Sequence, residues 1–206
     1  LFFITLLSSS FLISSEETIS RWMSDYFKRI HDHIGNENYE KAQYELEMGN
    51  NNYFRNGRTY EAALLYQLYG QFYAVQSQYT DAVPWFEKAL ATEKMPRIGA
   101  QEVRFQLAQT YFMIGKYENV IPLLDEFIRV GERYKYPVSA RVNLLMSYSH
   151  GRLEQYEPSY FHIKQANNKS DKPQTDWIEY AFSLAMKLEN LDDAEDLGTR
   201  LLFLEP

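Results

Sequence analysis

The stretch LYQLYGQFYAVQSQYTDAVPWFEKALATEKMPRIGAQEVRFQLAQTYFMIGKYENVIPLLDEF, residues 65–127, contains one unit twice. Tyr66, Gly70, Tyr73, Tyr79, Ala82, Phe86 and Ala89 align with Arg104, Ala108, Tyr111, Tyr117, Val120, Leu124 and Phe127, each pair 38 residues apart. In each copy an aromatic closes one apolar-periodic segment, a short break follows at Ser77-Gln78 or Gly115-Lys116, and a Tyr opens a second segment. Apolar residues returning every three or four positions mark a helix, so the unit is a helix, a turn and a helix. The small residues Gly70, Ala108, Ala82 and Val120 let the two helices approach closely, and the large ones fill the space between them.

Outward from this stretch, the chain reads as looser copies of the unit. Upstream, Ile19, Trp22, Met23, Tyr26, Phe27, Ile30 and Ile34 keep helical spacing up to Gly35, and a second helix runs through Tyr39, Ala42, Leu46, Gly49 and Tyr53 towards Gly57. Thr59 to Gln76 and Thr80 to Thr92 form the next pair, with Pro84 assigned to a first turn, where its missing donor costs nothing. Pro96 and Gly99 close that pair, and Gln101–Ile114 with Tyr117–Arg133 follow. Beyond Pro137 the turn is expected at His150-Gly151-Arg152, with Tyr156, Tyr160, Ile163 and Ala166 after it and a polar loop over Asn167–Pro173. A last pair opens with Trp177, turns at Glu189-Asn190 and continues from Leu191 to Pro206. The expectation is therefore an N-terminal helical pair over residues 16–58 and four helix pairs over residues 59–206. Residue types and spacing match the tetratricopeptide pattern. The expected fold is all-α, a tetratricopeptide-type α-solenoid stacked as a right-handed superhelix.

The two ends carry further expectations. Residues 1–15, LFFITLLSSSFLISS, are uncharged and apolar and resemble the apolar region of a secretory signal peptide, with an apolar helix packed on the first repeat as the alternative. No polar capping helix follows Pro206, and a solenoid's last repeat needs a solvating cap. The end reads either as cut short or as capping itself in a homodimer.

Composition narrows the function classes. The 206 residues are 45% hydrophobic and 24% charged, enough to bury a core, and 33 are aromatic, 17 of them Tyr. Tyr suits half-buried positions in a helical stack because its ring packs while its hydroxyl reaches a polar partner. The net charge is −7 and the Lys and Arg residues are scattered, so the electrostatic footprint for nucleic acid is missing. Without cysteine there is no disulfide, thiolate metal site or Cys nucleophile. His31 and His33 are two apart on a helix and point away from one another, so they do not chelate. His150 and His162 sit in separate helices of one pair and could meet, but nothing completes a ligand set around them. Asp192, Asp193, Glu195 and Asp196 lie at a helix start, where the dipole favours acids. No phosphate-binding glycine loop or Gly-x-Ser-x-Gly motif is present. The residues point to no enzyme, no cofactor, no metal and no small-molecule substrate.

The segments Tyr79–Pro96, Phe105–Ile128 and Asp176–Pro206 are similar to the tetratricopeptide proteins associated with bacterial TonB energy-transduction systems. Met95-Pro96, Leu107-Ala108-Gln109-Thr110-Tyr111 and Trp177 occupy that family's marker positions, and the similarity covers residues 37–206. The resemblance implies a secreted, periplasmic scaffold or adaptor that binds a partner protein or peptide, TonB-system components among them, in a concave groove. It also implies that the first helix of each pair lines that groove. Mapped onto this chain, the lining is Gln67, Gln71 and Ala74; Phe105, Gln109, Phe112 and Met113; Val142, Met146 and His150; and Ile178, Phe182 and Met186. Of these, Gln67, Gln71, Phe105, Gln109, Phe112, Met113, Met146, His150 and Phe182 are the expected protein-binding residues. Phe and Met would anchor a peptide and the Gln amides would satisfy its backbone. The plainer reading of each is inter-repeat core. The alternative function is a cytoplasmic adaptor of the cochaperone kind, whose carboxylate clamp would need Lys, Arg or Asn where Gln67, Gln71 and Gln109 stand.

Overall fold

The structure is a computed structural model, and it describes residues 19, 21–52, 59–170, 172 and 174–203. The expected signal segment and the closing Pro206 lie outside the described residues. Among the described residues there are ten helices and no strand. They are α1 (Arg21–Gly35), α2 (Tyr39–Asn52), α3 (Tyr60–Val75), α4 (Tyr79–Ala91), α5 (Arg97–Met113), α6 (Tyr117–Tyr134), α7 (Ala140–Arg152), α8 (Tyr156–Asn168), α9 (Thr175–Lys187) and α10 (Leu191–Leu202). No helix is long and apolar enough to cross a membrane, among the described residues.

Each odd-numbered helix is joined to the next by three residues. Near the middle of each turn one residue takes a left-handed backbone: Glu37 (φ 59°), Ser77 (61°), Gly115 (75°), Glu154 (59°) and Glu189 (56°). A Tyr or Leu starts the following helix two positions later. Four of these turns close in the same way. The N–H groups of Asn38, Gln78, Gln155 and Asn190 donate to the carbonyls of His33, Tyr73, His150 and Ala185, each at 2.9 Å. The bond reaches back over the left-handed residue and satisfies a carbonyl that the helix end would leave unpaired. The N-terminal pair α1–α2 carries the same turn as the others.

Three local expectations are corrected. The turn between α7 and α8 is Leu153–Gln155, not His150–Arg152, because α7 continues through Gly151 and Arg152. Gly151 is small for packing: a Cβ there would lie 2.0 Å from the Tyr180 hydroxyl. Gly99 does not end a pair but lies inside α5, which starts at Arg97 directly after Pro96. Pro84 is not in a first turn, since α4 starts at Tyr79, and Pro122 is likewise inside α6. Each proline removes one helical hydrogen bond, from the carbonyls of Thr80 and Glu118, and both residues are exposed, so water can replace the missing donor.

The helices form two compact units, unit 1 (Leu1–Ile114) with α1–α5 and unit 2 (Gly115–Pro206) with α6–α10. In unit 1, Tyr26, Phe27, Ile30 and Ile34 of α1 meet Ala42 and Leu46 of α2 and Leu65, Leu68 and Phe72 of α3 in one buried cluster. Nearly every face of α3 is covered, and Thr59 caps it by accepting from the Ala62 N–H at 3.2 Å. Gly70 lets α4 close in, for a Cβ there would stand 2.6 Å from the Phe86 ring. Trp85 of α4 stacks on Tyr69 at 4.0 Å with the Lys88 ammonium 4.2 Å from its ring centre. Unit 2 has its own core, in which Leu144, Tyr160, Ile163 and Ala166 pack with Ile178, Ala181, Leu184, Ala185, Ala194 and Leu197. The start of α10 is fixed twice. Asn190 caps it by accepting from the Asp193 N–H, and the Asp193 carboxylate accepts from Tyr160 at 2.6 Å, Lys164 at 2.8 Å and Asn190 at 2.9 Å. Those donors, Lys164 first, hold the Asp193 carboxyl below its usual range.

Candidate partner-binding faces

In unit 1 the expected binding residues fall on α3 and α5. The Gln67 amide donates to Gln106 Oε1 across the two helices at 3.2 Å. Gln71 lies one turn further along the same face of α3. It is only 6% exposed, and its Oε1 has no hydrogen-bond partner among the described residues. Phe105, Gln109 and Phe112 of α5 are half-buried and Met113 is 40% exposed, while Ala74 is buried. The arrangement is a row of amides bordered by partly covered apolar side chains. Gln106, the partner of Gln67, is absent from the sequence-based set. Its signal is its position beside Phe105, 39 residues after Gln67.

Unit 2 differs. Met146 is 1% exposed and belongs to the core of α7, so it offers no surface. His150 is also buried, its Nδ1 bonded to Gln155 Oε1 at 2.6 Å and its ring stacked on that of His162 at 5.6 Å. Phe182 is half-buried against the unit 2 core, Val142 and Ile178 are buried, and Met186 is exposed. On α7 the shift has one cause. Gln67 and Phe105 lie ten residues before the left-handed residues Ser77 and Gly115, and ten before Glu154 stands Leu144, not Val142. Reading Gly151 as a turn residue displaces the mapping of α7 towards its inward face.

His150 and His162 do meet, as their places in one helix pair allow. Among the described residues no group of three or more His, Cys, Asp or Glu could hold a metal ion. His31 and His33 are half-buried on α1 with Asp32 exposed between them. Tyr111 donates to the Glu87 carboxylate, and burial followed by that bond pushes its phenol up to about 12. Tyr148, half-buried beside Tyr180, is pushed up to about 12, mainly by burial. Both phenols stay protonated at physiological pH, and that of Tyr111 acts as a hydrogen-bond donor.

No protein-family model matches the sequence, and no curated protein sequence matches it. Among solved structures, the chain is similar to MamA from Desulfovibrio magneticus RS-1, with a TM-score of 0.69, 18% identity, and coverage of 91% of this chain and 97% of that one. A double mutant of MamA RS-1 superposes with a TM-score of 0.71 at 15% identity over 91% of this chain and 97% of that one. YrrB, described as a TPR protein with an unusual peptide-binding site, superposes with a TM-score of 0.70 at 15% identity, covering 88% of this chain and 85% of its own. At these identities the likeness establishes the fold, a tetratricopeptide-type α-solenoid.

Proposed function

We propose that the chain is a non-catalytic protein-interaction module whose α3–α5 face takes up an extended peptide from a partner protein. The observation that carries this reading is the buried, unpaired Oε1 of Gln71 beside the Gln67–Gln106 bond. A buried acceptor without a donor costs about 1–3 kcal/mol. A backbone N–H of a bound strand removes that cost, and Phe105, Phe112 and Met113 supply apolar contact for its side chains. Selection from a displayed peptide library tests it. Peptides chosen on the wild type should bind Gln71→Leu and Gln109→Ala at least about tenfold more weakly, while the Gln71→Leu melting temperature holds or rises. Equal binding by both variants overturns the reading.

We further propose that the module works in the bacterial cell envelope beside a TonB-type complex. This part is supported by the sequence resemblance, through Met95-Pro96, Leu107–Tyr111 and Trp177. Cell fractionation with crosslinking should recover it from the periplasm attached to TonB-system proteins. Recovery from the cytosol without them favours the cytoplasmic adaptor instead.

A further inference from the structure

The α7–α8 pair is joined by a polar seam. Ser147 Oγ donates to the Ser159 carbonyl at 2.7 Å and Ser159 Oγ donates to the Ser147 carbonyl at 2.8 Å, both fully buried. Next to this exchange the imidazoles of His150 and His162 stack with ring centres 5.6 Å apart and planes 5° from parallel. His150 Nδ1 faces Gln155 Oε1 at 2.6 Å and His162 Nδ1 faces Asn143 Oδ1 at 3.3 Å. Amide oxygens only accept, so each Nδ1 carries the hydrogen and the neutral rings need no further proton to hold their bonds. Phe161 meets the His162 ring edge-on at 5.1 Å and adds no polar partner for a charged ring.

We propose that the His150–His162 stack is an acid-sensitive latch, which holds α7 to α8 while the His162 ring is neutral and releases that pair when His162 takes up a proton. A proton on His162 is opposed by His150, and a half-buried seam screens the new charge poorly. The other charges do not relieve the repulsion. His150 from α7 and Lys169 from the end of α8 both oppose a proton on His162, and no carboxylate is among the groups that shift it; Asp176 of α9 acts on Tyr148 of α7 instead. Lys164, also on α8, is engaged with Asp193. Burial first, then His150 and Lys169, pulls the His162 pKa from the usual histidine value of 6.5 down to about 4. The unfolded chain therefore binds more protons than the folded one between these values. The contribution of His162 to stability is complete above pH 6.5 and is lost as the pH falls towards about 4. The chain's other two histidines, His31 and His33, are in α1 of unit 1, so the device belongs to unit 2 alone.

Amide hydrogen exchange on the full chain, corrected for the intrinsic pH dependence of exchange, tests the latch. Between about pH 7.5 and about pH 4.5, protection in α7 and α8 should fall at least about tenfold more than in α3 and α4. His150→Gln and His162→Gln should each remove that difference. An equal loss in both helix pairs, or an unchanged loss in both variants, overturns the proposal. Should the variants fail to fold, imidazole NMR of the wild type decides. A His162 midpoint well below 6.5, moving together with broadening of α7 and α8 signals, supports the latch, and a midpoint at 6.5 overturns it.

Discussion

Glu154 holds a left-handed backbone at φ 59° and Glu189 one at 56°, conformations in which a Cβ crowds the following carbonyl. Glycine has no such penalty, so Glu154→Gly and Glu189→Gly should each stabilise the protein by about 1 kcal/mol, read as a rise in melting temperature. Gly151 makes the opposite prediction. A methyl group there meets the Tyr180 hydroxyl, which itself contacts Ser159 Oγ at 3.1 Å. Gly151→Ala should cost about 1–3 kcal/mol through overpacking. Adding Tyr180→Phe should recover part of the loss, and a double-mutant cycle in denaturant melts measures the coupling. Phe112 separates surface from core: as a half-buried residue of α5, its change to Ala should cost well under the roughly 3–5 kcal/mol of a fully buried Phe.

At the scale of the helix, two pairs show different ways of closing. In α3–α4 the contact is apolar, Gly70 against the Phe86 ring, whereas α7–α8 exchanges serine hydroxyls with backbone carbonyls. Ser147→Ala should therefore destabilise by about 1 kcal/mol, the net worth of one buried hydrogen bond, measured by chemical denaturation. Helix existence is readable from the sequence because apolar spacing, the tyrosines that open α2, α4, α6 and α8, and the breaks between them all agree. The break in α7–α8 is not, because Gly151 looks like a turn residue, while the residue that turns, Glu154, has no turn preference. Side-chain size at a close approach and backbone freedom at a turn select the same amino acid, and only the packing of Tyr180 tells them apart. The same slip moves Met146 and His150 onto an outward face in the sequence reading. On α3 and α5 the register is anchored by Tyr66–Gly70–Tyr73 and its repeat, and the amide row is legible, except that Gln71's missing partner depends on where α5 stands.

For the molecule as a whole, two units with separate cores invite separate measurement. Trp85 lies in unit 1 and Trp177 in unit 2, both half-buried, so single-tryptophan variants made by Trp→Phe changes can report each unit's unfolding by fluorescence. Moving from neutral to mildly acidic buffer should lower the denaturant midpoint seen by Trp177 more than that seen by Trp85. Coincident shifts would show that acid acts on the chain uniformly. The constant turn has one more consequence. Every within-pair connection keeps three residues, while the connections between pairs vary: five residues separate α4 from α5 and six separate α8 from α9. Length variation is thus confined to alternate junctions, which makes those junctions the sites where foreign sequence can be spliced in. A short Gly-Ser epitope placed between the exposed Glu93 and Lys94 should leave the helical circular dichroism intact, whereas the same epitope after Ser77 should unfold its pair.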